Sequence, residues 1–157
     1  MSSFRKIIYS SLFFITACGF SPLYTSNDPS LLIGQIRIQE PNSQDEFIFY
    51  SRLVDRFGQA GDQYILNYAI TSAKEDRALN FDGTAHRVEI FGSVSFSLKE
   101  KEIELLNDEE EMYLSYSNSG STAAVLNAER DTNKQLVILL ADKVADRISL
   151  TIVEENL

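Results

Sequence analysis

The stretch Val88-Glu89-Ile90-Phe91-Gly92-Ser93-Val94-Ser95-Phe96-Ser97-Leu98 decides the fold. Val88, Ile90, Gly92, Val94, Phe96 and Leu98 recur with a period of two, and Glu89, Ser93, Ser95 and Ser97 between them are polar. Alternate side chains of a strand leave on opposite faces, so this pattern predicts a half-buried strand of an antiparallel sheet with one wet face. Just upstream, Asn80 to Ala85 contains Asp82-Gly83, a dipeptide suited to a hairpin tip. Before it, Tyr64 to Ala73 alternates again, with Tyr64, Leu66, Tyr68 and Ile70 on one face. Downstream, Lys99 to Glu102 reads as a charged turn. Ile103 to Leu106 and Met112 to Tyr116 read as one interrupted strand, with Asn107 to Glu111 as bulge or loop.

The flanks are helical. Ser43-Gln44-Asp45-Glu46 has the order of a capping box, which satisfies free N–H groups at a helix start. Phe47, Tyr50, Val54 and Phe57 follow at helical spacing with Leu53 beside them, and Gly58 and Gly61 supply the stop. A helix over about 44–58 is expected. Ile33 to Gln39 before it ends in alternation and reads as a short strand closed by Pro41-Asn42. After a linker over Ser117 to Ser121, Thr122 to Leu150 has neither Gly nor Pro, and Leu136, Val137, Leu140, Val144 and Ile148 form an apolar stripe. The expectation is an α+β two-layer sandwich in the order β-α-β-β-β-α. Its mainly antiparallel four-stranded sheet carries both helices on one face.

The first twenty residues have a different character. Arg5-Lys6, a short apolar run from Ile7 to Ile15, and Thr16-Ala17-Cys18-Gly19 are the parts of a secretory signal peptide. The run is well short of the ~20 residues that span a bilayer. Cleavage before Cys18 by ordinary signal peptidase would put Ile15 where a small residue is wanted, whereas Ile15-Thr16-Ala17-Cys18 resembles a lipobox. Cys18 is the chain's one cysteine, and a thiolate is the nucleophile that acyl attachment needs. The expected division is a signal peptide over 1–17, a lipidated N-terminus and tether over 18–31 with Pro22 and Pro29, and a domain over 32–157. The acyl chains on Cys18, palmitate among them, would hold the protein to a membrane effectively permanently.

Without residues 1–17 the chain keeps 12 basic against 23 acidic residues, a formal charge of −11. That balance argues against a nucleic-acid partner and against attraction to anionic headgroups. With 44% hydrophobic and 11% aromatic residues a packed core is expected, not an acidic tail. No catalytic set or cofactor motif stands out. His86 is the single histidine and sits beside the expected hairpin loop. Glu109-Glu110-Glu111 lacks the alternating ligand spacing of a calcium loop. Neither a Gly-rich phosphate loop nor a Cys/His metal pattern is present, so no enzyme activity, metal or cofactor is expected.

Several strings bear a resemblance. Cys18-Gly19-Phe20-Ser21-Pro22-Leu23-Tyr24 resembles the mature start of the LptE (RlpB) lipopolysaccharide-assembly lipoproteins, in their shorter, divergent branch. Gly83-Thr84-Ala85-His86-Arg87, Gly92-Ser93-Val94-Ser95-Phe96, Ala128-Glu129-Arg130-Asp131 and Leu140-Ala141-Asp142 are similar to the family in the same order. The resemblance implies a plug seated in the lumen of the outer-membrane β-barrel LptD, aiding its assembly and the passage of lipopolysaccharide to the surface. Gly19 after Cys18, where an Asp would signal inner-membrane retention, favours the outer membrane, with the domain facing the periplasm or inside the barrel. The resemblance implies, for some family members, contact with lipopolysaccharide through a basic residue in the loop between the second and third strands. Here Asp82 stands in that loop, so Arg77 and Arg87 are the candidate lipid contacts, with His86 near them. Two other classes compete. A periplasmic lipoprotein that binds a small apolar ligand would need a cavity between sheet and helices; a lipid-anchored enzyme would need the missing catalytic set.

Overall fold

The computed structural model describes residues 32–59, 61–79 and 85–155. Cys18, the signal segment, the tether and the Asp82-Gly83 tip fall outside the described residues. The elements are β1 (Ile36–Ile38), α1 (Gln44–Phe57), β2 (Tyr64–Leu79), β3 (Ala85–Glu100), β4 (Ile103–Ser117) and α2 (Thr122–Glu155). They form one four-stranded sheet in the order β1-β2-β3-β4 with the helices packed on it, as the alternation predicts. The sheet is mixed. β2, β3 and β4 are antiparallel neighbours, but β1 pairs in parallel with β2, Ile36 opposite Tyr64 and Ile38 opposite Leu66. That parallel pair needs a crossover, and α1 provides it.

Each helix is built from local chemistry. Ser43 caps α1, its Oγ accepting from the Glu46 amide at 3.2 Å, while Glu46 Oε2 accepts from the Asn42 amide at 2.6 Å. The buried stripe of α1 is Phe49, Leu53 and Phe57, spaced four apart. Phe47, expected on that stripe, is 60% exposed. The helix is rotated by the docking of Phe49 against Tyr68, ring centroids 4.8 Å apart, beneath which Leu53 and Phe57 then fall. Burial first, then the neighbouring Glu46 and Tyr50, pushes the Tyr68 phenol up to about 12. The stripe expected in the last helix is borne out: Leu136, Val137, Leu140, Val144 and Ile148 are all buried.

The sheet's inner face carries Tyr64, Leu66 and Tyr68 of β2 and Val88, Ile90, Val94, Phe96 and Leu98 of β3, all in the core. Gly92 shares that face for a steric reason. A Cβ there would lie 2.7 Å from Leu136 Cδ2 and 3.1 Å from Leu140 Cδ1, so any side chain at this position would have to displace the Leu136 side chain of α2. Gly61 is tighter still, since a Cβ would fall 2.0 Å from the Gln35 carbonyl carbon where β2 begins beside β1.

One expectation is overturned. Asn107 to Glu111 is neither bulge nor loop; it continues β4, with Asn107 opposite Ser97, Glu109 opposite Ser95 and Glu111 opposite Ser93. Four consecutive acids are poor strand formers in isolation. Here alternation sends Asp108 and Glu110 to the helix side, where Arg147 Nε meets Asp108 at 3.0 Å and Lys143 Nζ meets Glu110 at 2.7 Å. The bulge lies earlier. The register slips between Leu98 and Lys99, leaving Leu105 without an opposite residue. Two elements also run further than the periodicity marked, strand β2 to Leu79 and helix α2 to Glu155.

Candidate interaction surface

At about 3.3 Å per residue the long strands extend about 50 Å, and α2 at about 1.5 Å per residue matches them. The 14 residues of α1 cover less than half that length. The helices lie side by side, joined by Arg52 and Asp142 through two hydrogen bonds of 2.9 and 3.1 Å and by an Arg56–Asp146 pair. Beyond the start of α1, α2 is the only described helix that reaches the inner face of β2, through the Lys74–Glu129 pair.

That bare stretch forms a trough of about 430 Å³ lined by Ser72, Ala73, Lys74, Ile90, Glu129, Arg130 and Asn133. Glu129 binds α2 to both sides of the sheet: Lys74 of β2 pairs with it, and Tyr116 Oη of β4 donates to it at 3.1 Å. The Lys74 hydrogen bond holds the Glu129 carboxyl below its ordinary value and raises the Lys74 ammonium. Asn133 Nδ2 donates to Asp45 Oδ1 at 2.9 Å and closes the trough toward α1. Arg130 is exposed on the rim.

The opposite, outer face of the sheet has no described element on it. Its cross-strand rows read Asn67–Ser97–Asn107, Ala69–Ser95–Glu109, Thr71–Ser93–Glu111 and Ala73–Phe91–Tyr113. Ala69, Thr71, Ser93, Ser95 and Ser97 make a low floor along β2 and β3, the exposed Glu109 and Glu111 edge it on β4, and Phe91 and Tyr113, the latter 68% exposed, stand toward its distal end. The result is a flat, hydrogen-bonding face about 50 Å long.

The sequence-predicted lipid contacts lie at the distal end. Arg87 is exposed on the outer face, and its Nε donates to Ser115 Oγ at 2.8 Å. Asp76 is opposite Val88 and Ala78 opposite Arg87, so the backbone brings Arg77 next to Arg87 across an irregular step. The side chains of Arg77 and His86 fall outside the described residues. Sequence reasoning missed the Lys74–Glu129–Tyr116 junction. Its signal was available: Lys74 keeps the phase of Tyr64, Leu66, Tyr68 and Ile70, so it had to face a helix and needed an acid there.

Three of the strings that carried the resemblance supply contacts just described: Gly92 under α2, Glu129 across the sheet, Asp142 on Arg52. The lipopolysaccharide-assembly family model LptE matches residues 33–148. The chain belongs to the LptE family. Solved structures of similar fold include a candidate lipoprotein of Caulobacter crescentus CB15, with 17% identity, TM-score 0.60, and 83% of this chain and 96% of that one covered. The rare lipoprotein B of Shewanella oneidensis has 17% identity and TM-score 0.61, covering 78% and 98%. An uncharacterised lipoprotein B of Nitrosomonas europaea has 12% identity and TM-score 0.61, covering 74% and 83%. At such identities these neighbours speak to the fold alone. No curated protein sequence matches the chain. The LptE membership makes lipopolysaccharide assembly the role of this domain. No described helix is long and apolar enough to cross a membrane.

Proposed function

We propose that this LptE-family chain is an outer-membrane lipoprotein, anchored through lipid on Cys18 after loss of residues 1–17. Its domain plugs the LptD β-barrel and assists the barrel's assembly, so that lipopolysaccharide reaches the cell surface. The role is non-enzymatic. The observation that carries the reading is the one-sided build of a family member: helices on one face, and on the other a sheet face about 50 Å long, uncovered by any described element and low at its centre along Ala69, Thr71, Ser93, Ser95 and Ser97. The rival reading, a carrier of a small apolar ligand, needs room between sheet and helices. The close approach of Leu136 and Leu140 to Gly92 fills that space at its centre.

The chain's own charge limits how lipid is met. A formal −11 for the lipidated form repels phosphate-rich lipid broadly, so lipopolysaccharide contact is local, at Arg87 and Arg77. Depletion of the protein should impair barrel maturation and surface lipopolysaccharide, and the barrel should co-purify one to one in mild detergent. Replacing Ser93 and Ser95 by Arg would block the outer face, and is expected to abolish co-purification while leaving the domain folded. Normal barrel maturation on depletion, with no barrel co-purifying, defeats the plug reading. For the anchor, mass spectrometry of membrane-derived protein should find an acylated N-terminus at Cys18, and Cys18→Ser should stop processing there. A mature, unlipidated form starting elsewhere rules the anchor out.

A further inference from the structure

We propose that the free edge of β4 is a strand-addition site for an extended segment of a partner protein bearing Lys or Arg at alternate positions. Among the described residues β4 ends the sheet, paired with β3 alone, and from Leu106 to Ser117 its register runs without a slip. A regular edge of that length presents a row of main-chain donors and acceptors spaced to receive another strand. The side chains decide which strand. On the helix side, Asp108 and Glu110 are neutralised by Arg147 and Lys143, the latter also donating to the Glu111 carbonyl at 3.1 Å. On the outer side, Glu109 and Glu111 are exposed and form no ion pair with a described residue, their cross-strand neighbours being Ser95 and Ser93. Tyr113 follows on the same side, 68% exposed. An added strand would place side chains about 5 Å from these carboxylates, where cations attract and anions repel.

The same charges exclude other occupants. A second copy docking its own β4 in antiparallel fashion about the acidic run would bring Glu109 against Glu111. Residues 19–31 and 80–84, the chain's own longer undescribed stretches beyond the signal segment, contain no Lys or Arg. Arg5 and Lys6 are adjacent, so in a strand they would point to opposite faces. The occupant is therefore a basic strand from another protein. Nothing in this assignment requires that protein to be the barrel.

The test uses the ¹⁵N-labelled full chain in mild detergent and three synthetic octapeptides. One alternates Lys with Val, one alternates Glu with Val, and one is the Lys–Val peptide N-methylated on alternate amides so that it cannot form a ladder. The Lys–Val peptide should slow hydrogen exchange at alternate amides between Leu106 and Ser117, and the other two should not. Glu109→Lys combined with Glu111→Lys should reverse the preference between Lys–Val and Glu–Val by roughly tenfold, the sum of two cross-strand charge pairs. Absence of protection in β4, equal binding of the N-methylated peptide, or an unreversed preference in the folded variant overturns the proposal.

Discussion

The two halves of this sheet are held in different ways. In the proximal half, β1 and α1 share the work with the second half of α2, and Leu53, Phe57, Leu66, Leu98, Leu140, Val144 and Ile148 are buried beneath them. In the distal half α2 alone covers the hairpin, and between Thr122 and Gln135 no residue of that helix is fully buried. Val125 and Ala128 are half-covered, and Glu129 ties the helix to Lys74 and Tyr116. One region is fastened by packed apolar area, which is robust and salt-independent. The other is fastened by a partly exposed polar junction, worth little in equilibrium stability but able to fix position. The plug role proposed above would use that division: a rigid base, and a distal end held by polar contacts.

The largest effect that would break this comparison is in the core. Leu140→Ala is expected to cost about 2–5 kcal/mol in denaturant unfolding. Val125→Ala, half-covered on the same helix, should cost about 1 kcal/mol or less. Equal losses from the two would abolish the distinction between halves. At the boundary, Gly92→Ala should cost about 1–3 kcal/mol by overpacking against Leu136. Paired with Leu136→Ala, the combined loss should be smaller than the sum, because the second change removes the atoms the new methyl strikes. Strict additivity would mean that α2 shifts away instead.

The smaller effects sharpen the picture. Glu129→Gln should change global stability by only about 0–1 kcal/mol. Hydrogen exchange should nonetheless quicken over residues 122–134 and stay unchanged over 136–152. Uniform acceleration along α2 would show that the helix moves as one piece. Acid should act in the same place. The folded Glu129 carboxyl lies below its ordinary value of 4.5, chiefly through the Lys74 hydrogen bond. Its contribution is therefore present above that value and fades as pH falls through the lower, folded one. Asp108 is lowered as well, first by the Glu109 amide and then by Arg147, so β4 should lose its tie to α2 over a similarly acidic range. Exchange over 122–134 measured between pH 5 and pH 3 should rise in the native chain and be less pH-dependent in Glu129→Gln.

Periodicity alone determined most of the architecture. A period of two in Val88 to Leu98 and in Tyr64 to Ile70, and the stripe from Leu136 to Ile148, place residues on faces through covalent geometry, whatever surrounds them. The family strings within residues 33–148 were also legible, because they are local. Tertiary structure decided what depends on a distant partner. Asn107 to Glu111 could be strand only because Arg147 and Lys143, over thirty residues away, neutralise two of its acids. Phe49 rather than Phe47 faces inward because Tyr68 waits there. Gly92 gives Leu136 and Leu140 of α2 their room against β3, which no pattern within β3 records. The parallel pairing of β1 likewise rests on α1 returning the chain to the sheet's first end. A charge, a ring or a missing side chain takes its role from what it meets, and the chain settles those meetings only by folding.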